Sequence, residues 1–293
     1  MLEVDKFSKK ESKEFRDSLE KISSDSAHAK KMKQTDFLGA LKRYENLLER
    51  IKKLDHDKLD GKYKLAYREI LIQLSNINYY SAKYDKAKHY TDLLEQAAEF
   101  YNDKKMRAMS RLQYGNIFAD LSDFSAAMKY STEALKLYTE LNDIGGMGSA
   151  NNNIANIFVF QYKESEAYPY YEKALGYFNQ IENEELNKSN VLQNLASIHI
   201  KKGEFSRALD FLDEATKLKE QMNDSFGTAL SKSLMGELSV DMKDYESAIA
   251  NYKSALEIQE KLDDKNGILF SNMHLGNAYI QKFLFESKKE KSL

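Results

Sequence analysis

Residues 111–135 read RLQYGNIFADLSDFSAAMKYSTEAL, and the rest of the chain repeats what this stretch does. A small residue, Gly115, lies in a run with apolar residues at helical spacing. Nine positions later Phe124 opens a second such run behind Asp123, and Ala127 and Ala134 stand seven apart within it. That pattern predicts two helices joined by a short turn, with Asp123 capping the second and the small residues placed where the two backbones approach closely.

Outward in both directions the pattern recurs. The small residue returns as Ser75, Gly115, Ala155, Ala196, Gly236 and Gly276, at spacings of 40, 40, 41, 40 and 40. Twelve positions after the first five stand Ala87, Ala127, Ala167, Ala208 and Ala248, and a third column holds Leu94, Ala134, Ala174, Ala215 and Ala255. Nine positions after the small residue come Tyr84, Phe124, Glu164, Phe205, Tyr245 and Phe285, expected to fill the gap between one helix pair and the next. The turns between pairs recur as Asn102-Asp103, Asn142-Asp143, Asn223-Asp224 and Asp263-Asp264, able to stop one helix and cap its successor. Asp244 is placed, like Asp123, to cap a second helix. The expected fold is all-α: a right-handed superhelical solenoid of antiparallel helix pairs, its helices about 14 to 18 residues long.

Composition agrees. One Pro, twelve Gly, no Trp and 31% charged residues in 293 favour helix nearly throughout. A net charge of −2 supplies no field for nucleic acid or an anionic membrane, so neither is an expected partner. Zero Cys excludes a disulfide framework and thiolate metal sites. Met1 to Lys10 alternates charged with apolar residues and lacks the apolar core of a signal peptide. A cytoplasmic protein is expected, with an exported form whose signal has been removed as the alternative.

The runs Leu112–Phe118, Asn194–His199 and His274–Tyr279 resemble the first-helix signature of tetratricopeptide repeats, and Phe124–Leu135, Phe205–Ala215 and Tyr245–Leu256 resemble its second helix. The 40-residue period is similar to the variant in kinesin light chains, in polarity adaptors that bind G-protein subunits, and in bacterial sensor kinases and regulators. The resemblance covers about residues 61–285 and is specific for fold rather than function. It departs at proline: the usual one is absent, and Pro169 falls inside a second helix, where a kink or delayed start is expected. Residues 1–60 are read as N-terminal helices and a degenerate repeat, with a helix over Thr35–Leu54 and a weaker apolar stripe of Phe7, Phe15, Leu19 and Ile22 ahead of it. Residues 61–285 are five full pairs plus a final first helix, and 286–293 a charged tail that is either solvated or a docking tail.

Catalytic chemistry has no foothold at motif spacing. His28, His56, His89, His199 and His274 are scattered singly, and Gly145-Gly146-Met147-Gly148 lies between two helices rather than after a strand, so no phosphate loop is read there. No enzyme, cofactor or metal site is expected.

Amides form the pattern that asks for a reason. One residue after the small position stand Asn76, Asn116, Asn156, Ser197, Glu237 and Asn277. Two before it stand Gln73, Gln113, Asn153, Asn194, Leu234 and His274. Asn has mediocre helix propensity and would not accumulate mid-helix without a use. Positions three apart share a helix face, and first helices line the concave side of such a superhelix. The reading is a ladder of carboxamides that clamps an extended peptide or protein segment, through Asn76, Gln113, Asn116, Asn152, Asn153, Asn156, Gln193, Asn194 and Asn277. In the families resembled, asparagines at matching places hold peptide backbones. The competing reading has the same amides bonding between neighbouring repeats and stiffening the array. Tyr79, Tyr80, Tyr114, Tyr162, Tyr168, Tyr170 and Tyr171 are either aromatic anchors or inter-helix filler.

The leading function is therefore a non-catalytic peptide- or protein-binding scaffold. The alternative is a sensory or regulatory module of a bacterial signalling protein, a histidine kinase or transcription regulator, whose output domain lies outside this chain. Self-association through the C-terminal helix, with Phe283, Leu284 and Phe285 uncovered, is a third reading.

Overall fold

The computed structural model describes residues 37–52 and 61–290, and these hold twelve helices and no strand. In chain order they are α1 (Phe37–Lys52), α2 (Gly61–Tyr80), α3 (Tyr84–Phe100), α4 (Lys104–Asp120), α5 (Phe124–Glu140), α6 (Ile144–Phe160), α7 (Glu164–Phe178), α8 (Glu185–Lys201), α9 (Phe205–Gln221), α10 (Ser225–Asp241), α11 (Tyr245–Lys261) and α12 (Lys265–Glu290). The stripe expected over residues 1–24 lies outside the described residues. The chain is an all-α repeat solenoid of helix pairs. It falls into two compact units divided after Gly146, inside α6.

Turn chemistry sets the length of each helix. Every link after α2 pivots on a residue in the left-handed region: Ala82, Ser122, Tyr162, Gly203 and Lys243 between first and second helices, and Asn102, Asn142, Asn183, Asn223 and Asp263 between pairs. Two backbone bonds close each such link except the one at Asn183; for the first, Ala82 N–H donates to Tyr79 at 2.9 Å and Lys83 N–H to Asn78 at 2.8 Å. The next residue often caps. Asp103, Asp123, Asp143, Asp224, Asp244 and Asp264 each accept the amide hydrogen three residues on, at 2.9–3.1 Å. Asp123→Ala and Asp244→Ala are each expected to cost about 1 kcal/mol, read as a lower urea midpoint of helical circular dichroism.

Within the first unit, α1 packs on α2, α2 on α3, α3 on α4 and α4 on α5. Tyr44, Leu47 and Ile51 of α1 are buried against Ile70, Leu74 and Ile77 of α2, with Leu94 of α3 in the same core. In the second unit α7 packs on α8, and the stacking continues through α12. The alanine columns do what their spacing predicts: from Ala87 to Ala248 and from Leu94 to Ala255, all are fully buried. Opposite them a side chain on the small residue would collide. A Cβ on Gly115 would meet the Ser131 hydroxyl, and one on Gly236 would lie 2.8 Å from the Tyr252 ring.

Two expectations need correcting. Pro169 does not delay its helix, since α7 begins at Glu164, in register with the other second helices, and runs through the proline to Phe178. Its missing amide faces the carbonyl of exposed Ser165, which water can satisfy. The last helix is not a 17-residue first helix like α4 or α10; α12 spans 26 residues and carries through Glu286 to Glu290, the start of the expected tail.

Candidate functional site

The two amide columns meet across repeats rather than along one helix. In the first unit Gln113 on α4 donates from Nε2 to Oδ1 of Asn76 on α2. In the second, Asn194 on α8 donates from Nδ2 to Asn156 Oδ1 at 3.3 Å and to Asn152 Oδ1 at 3.4 Å, both on α6. His274 Nε2 and Glu237 Oε1 stand 3.9 Å apart at the matching positions of α12 and α10. Each rung thus joins the residue after the small position of one repeat to the residue two before it in the next. The Tyr171 hydroxyl adds a bond from within the hairpin, donating to Asn156 Oδ1 at 2.6 Å, and burial pushes that phenol's pKa far up.

The amide residues of the expected ladder differ in how far they are covered. Gln113 and Asn153 are buried, as is Gln73. Asn76, Asn116, Asn152, Asn156, Gln193 and Asn194 are half-buried, and Asn277 is exposed. Bonding leaves a chemically one-sided remainder. Asn76 and Asn156 spend Oδ1 on their neighbours, and their Nδ2 groups have no partner among the described residues. Asn116 makes no side-chain hydrogen bond among them. Gln113 keeps a buried Oε1 with none.

Beside the ladder, Gln193 Nε2 donates to Ser231 Oγ at 3.4 Å, and Lys219 Nζ donates to the same oxygen at 3.1 Å. Lys219 is 5% exposed, and burial lowers its pKa against a smaller opposing pull from Asp224. Sequence reasoning missed this lysine, whose column otherwise holds Ala98, Tyr138, Phe178 and Gln259; a lone Lys there is the only signal. It also missed a charged cluster in the first unit. Arg111 on α4 bridges Glu95 of α3 at 2.9 Å and Glu133 of α5 at 3.2 Å, and its guanidinium lies over the Tyr130 ring.

The aromatic candidates divide. Tyr114 and Tyr171 are buried, Tyr79, Tyr168 and Tyr170 half-buried, and only Tyr80 and Tyr162 are exposed. At the aromatic column the exception explains itself. Tyr84 reaches Asp120 at the end of the next first helix at 3.5 Å, and Tyr245 packs edge-on against Phe285 at 5.7 Å. Glu164 makes the equivalent reach as an ion pair with Lys201 at 2.5 Å, and that bond holds its carboxyl below the usual range.

His199 is buried between the Tyr168 and Phe211 rings and paired with Glu204 at 2.6 Å, the place of a packing residue. Among the described residues no group of His, Asp and Glu is arranged to hold a metal ion, and no helix is long and apolar enough to cross a membrane.

Residues 189–222 and 231–262 match the family model of the tetratricopeptide repeat. A curated relative, tetratricopeptide repeat protein 29 of Trypanosoma brucei brucei, is 24% identical over 201 residues, 67% of this chain. The chain spans about two fifths of that relative, 41% of its length. Two solved proteins share the fold at low identity. The STAND signal-transduction ATPase with a tetratricopeptide repeat sensor from Pyrococcus horikoshii aligns with a TM-score of 0.63 and 16% identity, over 90% of this chain and 43% of that one. The quorum sensor NprR from B. thuringiensis aligns in its apo form with a TM-score of 0.62 and 13% identity, over 86% and 69%. NprR in complex with its cognate peptide NprX aligns at 0.55 and 13%, over 91% and 73%. The two matched segments fall on the hairpins α8–α9 and α10–α11, which are tetratricopeptide repeats by that match, and their small, alanine and turn columns run through the remaining pairs.

Proposed function

We propose that this chain is a non-catalytic scaffold whose two units each hold an extended peptide or protein segment against the amide-bearing face of their own first helices. One observation carries the reading: the amides of Asn76 and Asn156 have committed their oxygens to neighbouring repeats and kept their NH2 groups. Half-buried donors at the same position of the first three hairpins, Asn76, Asn116 and Asn156, match the carbonyl oxygens of an extended backbone and ignore its side chains. Asn116 and Asn277 supply the same group in their repeats. The pairing between repeats then supports the function, because a donor fixed by its own oxygen loses little freedom on binding. The peptide complex of NprR, a protein of the same fold, is consistent with this use.

Selection of binders from a random extended-peptide phage library tests it, followed by anisotropy titration of the best peptide. Asn76→Ala/Asn116→Ala, both in the first unit, is expected to weaken a peptide held there by about 10- to 100-fold, two hydrogen bonds at about 1 kcal/mol or somewhat more each. Unchanged affinity, with helical circular dichroism intact, would remove the amide face from the account.

A second reading is favoured by one observation: the chain aligns with 43% of a signalling ATPase in which such repeats form a sensor. In that case the scaffold relays occupancy to an output domain. A kinase or DNA-binding domain joined to this chain in its coding sequence establishes it, and an uninterrupted array of further repeats there rejects it.

A further inference from the structure

Leu269, Met273, Gly276, Ile280 and Phe283 of α12 follow one another at steps of four, three, four and three. Residues so spaced recur every 3.5 and lie along one narrow stripe, the seam of a two-stranded coiled coil. Leu269 is 71% exposed, Met273 61%, Ile280 59% and Phe283 68%. In α4, α6, α8 and α10 the positions corresponding to Leu269 and Gly276 are buried.

Residue types set α12 apart from most of the earlier first helices. Seven positions before the small residue, α4, α6, α8 and α10 place Ala108, Gly148, Ser189 and Ala229, all buried, while α2 holds the half-buried Arg68. In α6 there is no room for more: a Cβ on Gly148 would lie 2.7 Å from the Phe178 ring of its hairpin partner. At this position α12 carries Leu269. Seven positions after the small residue, the five earlier links turn back through Ala82, Ser122, Tyr162, Gly203 and Lys243 in the left-handed region; α12 continues in helix through Phe283. Its open face is bulkier than those of α4, α6, α8 and α10, and its backbone does not make their turn.

We propose that a second copy of this chain covers this face, the two α12 helices pairing about a two-fold axis near Gly276. A 3.5-residue seam is complementary to itself, which an isologous contact requires. Gly276 has nothing within 4 Å of where its Cβ would be, so two backbones can approach there. The area is adequate. Leu269, Met273, Ile280 and Phe283, with Tyr279 and Leu284 on the flanks, expose on the order of 700 Å² if a large apolar side chain offers roughly 200 Å². A standard stable interface buries about 800 Å² per partner. The inference stands apart from the amide face and does not need it.

Sedimentation equilibrium between roughly 1 and 100 µM is expected to give the dimer mass for the wild-type chain. Ile280→Asp should weaken association by at least about 100-fold with helicity unchanged, and Leu269→Lys, at a more exposed site, gives the same reading if Ile280→Asp does not fold. The chain has no cysteine, so a Gly276→Cys variant is expected to form a disulfide-linked dimer under mild oxidation, and a Tyr162→Cys variant is not. A wild-type chain monomeric throughout, or a dimer that persists with Asp at 280 and Lys at 269, overturns the proposal.

Discussion

Phe178→Ala is expected to destabilise its unit by about 3–5 kcal/mol, measured as a drop in the urea midpoint of helical circular dichroism. Phe178 ends α7, is 1% exposed, and shares a core with Tyr171, Val191 and Leu195. Its ring edge fills the space that Gly148 leaves by having no side chain. Truncation removes the ring's burial and leaves a hole in a core that cannot collapse, because helix backbones hold its walls. The reciprocal change overpacks the same spot: Gly148→Leu should cost about 1–3 kcal/mol or more. The informative experiment combines them. If the two residues share one space, Gly148→Leu/Phe178→Ala is less damaging than the sum of its parts by at least about 1 kcal/mol. Strict additivity would mean that the glycine is small for another reason.

Alkali should unfold the protein, and the sign follows from three tyrosines. Tyr138, Tyr171 and Tyr252 are 1–3% exposed, and burial raises the pKa of each phenol from 10.0. The folded chain keeps these protons where the unfolded chain gives them up. The stability they lend is whole below pH 10 and drains as pH climbs beyond it, at about 1.4 kcal/mol per pH unit for each residue. Lys219 works the other way. Its lowered pKa means that the folded chain holds fewer protons than the unfolded one between that value and 10.5, so its contribution rises with pH in that window. Above pH 10 three tyrosines outweigh one lysine. Urea midpoints at pH 9, 10 and 11 should fall steeply over the last step, and Tyr252→Phe should make that fall shallower. A flat profile to pH 11 would show that these phenols are not sheltered.

What could be read in the sequence was whatever repeats at the backbone. A buried alanine at each hairpin contact needs the same residue every 40 positions, so the columns from Ala87 to Ala248 name the fold unaided. The Asp caps are equally plain, because only a short acceptor at that position reaches the orphan amide hydrogens. The left-handed pivots were half visible: Asn and Asp announce them between pairs, whereas Ala82, Tyr162 and Lys243 take the same conformation under pressure of the fold. The amide columns are legible, and so are both readings of them: three residues along a helix share a face and are also two partners across a repeat. The signal was present. Where the asparagine column changes to Glu237, its partner in the next repeat is no longer an amide but His274, and residues that change together are residues that meet. The seam on α12 was noticed only as uncovered aromatics at its end, since its first half is sparse in apolar residues until it is compared with the buried positions of its sister helices.

The ties between neighbouring repeats connect residues from 12 apart in sequence, Lys219–Ser231, to 42 apart, Asn194–Asn152. No hydrogen bond or ion pair described here spans two hairpins at once. Tension applied across the described helices of such a molecule passes link by link through these short ties. Stretched in an optical trap, each of the two units should lengthen in steps of about one hairpin, the weakest rung yielding first, and recoil in the same increments when released.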